Sequence, residues 1–360
     1  ISSYSFESCC KLKKINIPIN SELQTIKKYS FKETNFDSIY LPQHLKELED
    51  GWCCSLKNLN MIEISPLNRN FAFIKNCLLV GKSDPKSDNF NVLLFCVRNI
   101  TEVTIPTNIT HISTNAFEFC SMLKDIIITT DSELQSIGKK AFSHTFFEKI
   151  YFPANLNELK EDWISFNMHL STIEISPLNK HFFTYDNQCL FEKSDTKSDE
   201  CYLLFATPSI KTLTVPSNVK VIHNEPFIPH LNLKEINIPI DSKLEIIDDF
   251  SFKMSRFDKI VIPSSVIRIN KFAFQSCRKC KSIIFCDDSQ VESFSNSAFY
   301  NNDITEISLP AKLRKIGKQV FDNCQNLKEI KIPENSELEV IGHEAFGSTK
   351  ISKLSIPKHL

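Results

Sequence analysis

Glycine is scarce in this chain, with six in 360 residues. That excludes a Gly-rich phosphate loop, and with no long Ser, Pro or charge run either, no segment reads as a linker. Charge imbalance is also missing. The net charge is −1, so the chain carries no basic footprint for nucleic acid and no acidic tail. No stretch approaches the roughly 18 apolar residues of a membrane-spanning helix. The nearest, VLLFCV at residues 92–97, is short enough to be a strand. The sequence starts at Ile1 rather than at an initiating methionine, and any secretion signal or anchor is expected to lie outside this segment. The sequence opens and stops partway through a repeat without a polar end cap, so we expect a segment of a longer protein.

Catalytic patterns are absent too. The nine histidines are scattered, with His111 and His223 flanking an isoleucine column and none in a His-x-x-x-His or nucleophile pairing. No paired-carboxylate motif or strand-to-helix Ser elbow occurs. The expectation is a protein that is not an enzyme and needs no metal or cofactor.

What the chain does have is a phenylalanine recurring on a fixed beat before a short Ile-x-Ile-Pro segment. From that Phe to the first strand residue the gaps alternate nine, eight, nine, eight: Phe6 to Ile15, Phe31 to Ile39, Phe117 to Ile126, and on to Phe346 and Leu354. Fourteen beats cover the chain, and only Cys53 and Ile164 replace the aromatic. Units of 23 and 24 residues alternate, so Val103 to Ile150 and Ile260 to Ile307 are each 47 residues. A period of about 23 to 24 residues falls within the range of leucine-rich repeats. The predicted fold is α/β: a solenoid of about 14 turns in one domain over residues 1–360. It has a parallel sheet on one face and short helical turns or irregular segments on the other. Two stretches sharing SPLN, a KSD-x-KSD loop and a following LLF read as β-hairpin insertions, at about 66–95 and 177–205.

Strand periodicity turns the outer isoleucines of Ile-x-Ile inward and the middle residue outward. Ten of the sixteen prolines follow this strand directly and end its ladder, because proline has no amide hydrogen to donate. The Phe column fills the interior. Fourteen strands at about 4.8 Å spacing predict a sheet roughly 65 Å long. Its exposed middle column carries Tyr40, Ile127, Tyr151, Val261 and Ile284, apolar or aromatic groups where a solvated face would be polar. These five are the candidate protein-binding residues. The structural alternative is that β-propensity selects Tyr, Val and Ile in any strand.

Thirteen cysteines raise a disulfide or metal question. Cys9, Cys120, Cys277 and Cys324 all stand three after the Phe, in units two turns apart, about 9 to 10 Å and beyond the roughly 7 Å a disulfide spans. They read as small buried hydrophobes. Cys277 and Cys280 form a CxxC, but no second pair completes a zinc site.

The recurring "LTVPSNVKVIHNEPFIPHLNLKEI" and "IVIPSSVIRINKFAFQSCRKCKSI" resemble the BspA-like, or Treponema-type, leucine-rich repeat over nearly the whole chain. The resemblance implies a surface protein of bacteria or mucosal protists that adheres to host cells or matrix proteins. It carries over no catalytic residue. Two functions stay open: a cell-surface or secreted adhesin binding a protein ligand, and a cytoplasmic scaffold, which many reduced cysteines would suit. Sequons at Asn99 and Asn108 are compatible with secretion.

Overall fold

The spaced phenylalanines are buried from Phe31 to Phe321, and their rings stack on one another. Phe117 lies on Phe142 with centroids 5.2 Å apart. Phe252, Phe274, Phe299 and Phe321 follow at 5.1, 5.3 and 5.4 Å, with interplanar angles of 23°, 17° and 6°. The computed structural model describes residues 1–195, 198–223, 232–358 and 360, so Phe227 lies outside the described residues. The chain divides into two units, Ile1–Lys180 and His181–Leu360, and every sheet stays within one of them. Each unit is a β-solenoid.

No α-helix occurs among the described residues, which corrects the expected helical turns and the α/β label. The reason lies in the backbone beside each Phe. Of 24 described non-glycine residues with positive φ, 21 stand two before or two after a beat position, as Lys140 (φ 53°) and His144 (φ 56°) flank Phe142. Gly51 fills the position two before Cys53. A left-handed residue at each end stops right-handed helix from propagating. It also turns three amides the same way. The N–H groups of Lys140, Phe142 and His144 donate to the carbonyls of Asp162, Trp163 and Ser165 in the next turn, at 3.0, 2.9 and 2.9 Å. Phe250, Phe252 and Met254 do the same to Lys271, Ala273 and Gln275. Each left-handed residue costs about 1 kcal/mol, and each backbone hydrogen bond returns about as much. The ring between them, at roughly 2 to 3 kcal/mol, leaves the turn net favourable.

Position three after the Phe satisfies the carbonyls left inside. Thr145 Oγ1 donates to Phe142 O at 2.7 Å, Cys277 Sγ to Phe252 O at 2.9 Å and Cys324 Sγ to Phe299 O at 3.2 Å. The cysteine column is therefore buried at Cys120, Cys277 and Cys324, as expected, but it also donates hydrogen bonds; Cys9 is exposed. The two beats without an aromatic borrow one. Trp52 and Trp163 take the place of the small residue before the beat and meet Phe31 and Phe142 edge-on at 6.4 and 6.3 Å.

The Ile-x-Ile strands do not form the continuous sheet expected. They pair two by two, in register Ile39↔Ile62, Val103↔Ile126, Ile150↔Ile173, Leu213↔Ile236, Ile260↔Ile283 and Ile307↔Ile330. Each of these is a 23-residue step. Across the 24-residue steps, such as Ile126 to Ile150, a longer loop intervenes and no ladder forms. Residues 15–17 and 354–356 carry no strand. The continuous parallel ladder is a second column, five residues before the Phe: Ile112, Ile137 and Leu159 in the first unit, and Ile222, Ile247, Ile269, Phe294, Ile316 and Ile341 in the second.

Each insertion is a three-stranded antiparallel meander rather than a single hairpin: Phe71–Ile74, Leu78–Gly81 and Val92–Cys96 in one, Phe182–Phe183, Cys189–Lys193 and Cys201–Ala206 in the other. The last strand of each joins the second column in parallel, through Leu93↔Ile112 and Leu203↔Ile222. Phe95 and Phe205 thus sit in strands, not in turns. In the first unit this removes one turn, and side chains replace its hydrogen bonds. Arg98, 4% exposed, donates from Nε to Leu56 O at 2.9 Å and from Nη1 to Ala116 O at 2.9 Å. The Glu118 carboxylate accepts the Ser55 amide at 2.6 Å, and Asp50 accepts that of Thr114 at 2.8 Å. Burial pushes the Glu118 carboxyl above the usual carboxylate range, while the Ser55 amide and Arg98 pull against it.

Two outcomes follow for the turn around Phe142. Phe142→Ala should lower the unfolding free energy by about 3 to 5 kcal/mol in a urea titration of the chain. Lys140→Gly should raise it by up to about 1 kcal/mol and Lys140→Val lower it, since only glycine adopts positive φ without strain; equal stabilities for these two variants would contradict the left-handed assignment.

Candidate protein-binding surface

The outward residues of the paired strands fall into register partners. Val261 faces Ile284, 37% and 39% exposed, and this is the one pair that joins two of the five predicted residues. The preceding strand pair in the second unit presents Thr214 and Asn237, and the following one Ser308 and Lys331, where Lys331 meets Glu306 at 3.3 Å. The result is an apolar centre with polar neighbours, the arrangement of an interface core and rim.

The other three predicted residues are dispersed over the first unit. Ile127, 48% exposed, faces Thr104. Tyr151 is half-buried opposite Glu174, whose carboxylate binds Lys149 at 2.7 Å. Tyr40, also half-buried, faces Glu63. Because the ladder breaks at each long step, Ile127 and Tyr151 lie on different strand pairs.

Sequence reasoning missed a second exposed feature, carried on the left-handed positions themselves. Phe119, His144 and Phe166 stack face to face at 4.3 and 4.7 Å with interplanar angles of 8° and 3°. Lys57 Nζ caps the pile 4.6 Å from the Phe119 centroid. Burial holds the His144 imidazole below its ordinary range, and Lys57 and Lys140 add repulsion against the charged form. In the second unit Phe250 and Phe272 stack at 4.9 Å in the position two before the beat, with Lys253 over Phe250. The signal was present in the sequence: three aromatic rings, at Phe119, His144 and Phe166, recur two residues after successive beats.

The KSD loop at residues 82–88 is bonded largely to itself and the meander. Lys82 Nζ lies 3.8 Å from Asp88 Oδ1 and covers the Phe90 ring, and Ser83 and Asn91 exchange hydrogen bonds. Its counterpart at residues 193–199 lies partly outside the described residues. All thirteen cysteines are free, and among the described residues no group of three or more His, Cys, Asp or Glu could hold a metal ion.

The model of the BspA type leucine-rich repeat region matches residues 1–80, 89–198, 198–289 and 245–360. No curated protein matches the chain. Among solved structures, the fold is similar to that of a leucine-rich cell surface protein from Faecalibacterium prausnitzii (TM-score 0.61, 20% identity, covering 86% of this chain and 83% of that one). It is also similar to the pneumococcal vaccine antigen PcpA (TM-score 0.51, 17% identity, 94% and 78% covered) and to a leucine-rich repeat protein from Eubacterium ventriosum (TM-score 0.51, 19% identity, 83% and 85% covered). With the repeat model matched over nearly all of its length, this chain belongs to the BspA-type leucine-rich repeat family.

Proposed function

We propose that this chain is a non-enzymatic, protein-binding repeat protein that acts at the cell surface as an adhesin for host-cell, matrix or neighbouring-cell proteins. The observation that carries the binding role is the Val261–Ile284 pair, two β-branched side chains held side by side and exposed between polar strand pairs. Apolar side chains fixed on rigid strands lose little entropy on binding, so they suit an anchor. In the first unit, Ile127 and Tyr151 are candidate anchors on that unit's own strand pairs. The surface location is supported by the similar Faecalibacterium protein, which is a leucine-rich cell surface protein, and by the family. No helix among the described residues is long and apolar enough to cross a membrane. One observation favours the cytoplasmic scaffold instead: ten of the thirteen free cysteines are buried thiols, the usage of a reducing compartment.

Two measurements test the reading. A membrane-impermeant label on intact producing cells should mark the chain; labelling only after lysis would move it inside. Purified chain should bind epithelial cells or an immobilised matrix preparation, and Ile284→Asp or Tyr151→Asp should each weaken that binding roughly 5- to 30-fold, about 1 to 2 kcal/mol, with the melting curve unchanged. Undiminished binding by both variants would remove the strand face from the interaction.

A further inference from the structure

Two successive turns of the second unit set three cations around a cleft that no role described above uses. The turns around Phe252 and Phe274 are joined by backbone hydrogen bonds, among them Met254 N–H to Gln275 O at 2.8 Å. Met254, Ser255, Arg256, Ser276, Arg278 and Lys279 line one cleft of about 340 Å³. Arg256 and Arg278 each stand four residues after their Phe, so the stacking of the turns puts them in one column. No other pair of successive beats carries two cations at that position. Both arginines and Lys279 are exposed. Among the described residues of the second unit, ion pairs form at Lys220, His223, Arg314, Lys331 and His343, and none forms at these three. No carboxylate is among the described residues that line the cleft. Lys253, the next cation along the chain, is already placed over the Phe250 ring. Like charges gathered without a counter-ion repel one another, and an anion between them relieves that repulsion.

The cleft also holds a hydroxyl with nothing to bond. Ser255 is 1% exposed, and its Oγ has no hydrogen-bond partner. It stands three after its Phe, the position from which Thr145 donates to Phe142 O. Here the corresponding carbonyl is full: Phe252 O accepts the Ser255 amide at 3.0 Å and the Cys277 thiol at 2.9 Å. A buried hydroxyl without a partner costs free energy that a ligand atom can recover. Ser276 Oγ accepts Asn301 Nδ2 at 3.0 Å, which leaves its own O–H to donate. Cationic and hydroxyl donors thus share one cleft, with exposed Met254 as its apolar edge.

We propose that this cleft binds an oxoanion ester, a phosphate or sulfate group carried on a larger ligand. Arg256 and Arg278 offer two planar guanidinium forks, which match the oxygens of a tetrahedral anion. Lys279 adds a point charge and Ser276 its free O–H. Ser255 turns its hydroxyl to the same group without breaking a bond, since it makes none in the free chain. Met254 packs against the carbon side of the ester. The inference stands apart from the strand-face reading, because it uses neither Val261 nor Ile284.

Isothermal titration of the full chain with inorganic phosphate and with inorganic sulfate, at an ionic strength held constant with sodium chloride, tests the site. Both anions should bind saturably. Arg256→Ala and Arg278→Ala should each weaken binding roughly 10-fold, and the double variant should abolish it. Melting temperatures in chloride should not change, because both side chains are exposed. Ser255→Ala should weaken binding without lowering the melting temperature, as its hydroxyl holds nothing in the free chain. Arg268→Ala removes an exposed cation of the same unit outside the cleft and should bind as the parent chain does. Phenyl phosphate and phenyl sulfate then separate the two sources, the tighter ester being the one the site takes. No heat beyond a chloride blank, full binding by the double variant, or equal losses in Arg268→Ala and Arg256→Ala would reduce the cluster to solvated surface charge and overturn the proposal.

Discussion

Each turn of this protein depends on a pair of left-handed residues four apart with one aromatic ring between them. The geometry aims three amides at the next turn and seats the ring on its neighbour, so hydrogen bonding and stacking run along the same axis. Neither element suffices alone: the left-handed residues and their hydrogen bonds about cancel, and an isolated ring cannot bury both faces. Their combination explains why the chain manages with six glycines. Side chains as bulky as Tyr29 and Phe272 occupy positive φ because the turns on either side hold them there. Apart from Gly51, which takes a left-handed position itself, glycine serves close approach. A Cβ on Gly342 would lie 2.5 Å from the Gly317 carbonyl carbon, and one on Gly138 would lie 2.5 Å from the Thr114 amide.

The insertions show what happens when a turn is omitted. In the first unit, Arg98 takes the position that Thr145 or Cys277 holds elsewhere and spreads its guanidinium over carbonyls that a backbone turn would have satisfied. Glu118 and Asp50 supply the matching acceptors. A buried Arg with acidic groups is costly to desolvate, but the unpaired amides and carbonyls it serves would cost several kcal/mol as well. The substitution is local, and the second insertion, with Pro208 in place of Arg98, does not repeat it.

Much of the architecture was legible because one residue type marks it. The Phe beat located the core, and the alternation of 23 and 24 residues was visible before its meaning: the short step carries a strand ladder and the long step does not. Helical turns were a wrong expectation because residues such as Lys140 and His144 carry no local mark of positive φ; nothing short of tertiary hydrogen bonds selects it. The second β column, at Ile112 and Ile137, was also under-read, since its strands are two residues long and alternate with nothing. Of the proposed surface, the sequence could name the outward residues but not their pairing, which brings Val261 to Ile284 and leaves Tyr40 apart. The Phe119–His144–Phe166 pile escaped notice because aromatics two after the beat look like loop residues until the turns are stacked.

Native-state hydrogen exchange on the intact chain tests the central claim most directly. If the paired left-handed turns bind successive layers, the amides of Asn115, Phe117 and Phe119 and of Lys140, Phe142 and His144 will be protected to the same degree as the ladder around Ile137 and will open with it. Fast exchange at those six amides beside a protected Ile137 ladder would show that the sheet alone holds the solenoid, and would contradict the account.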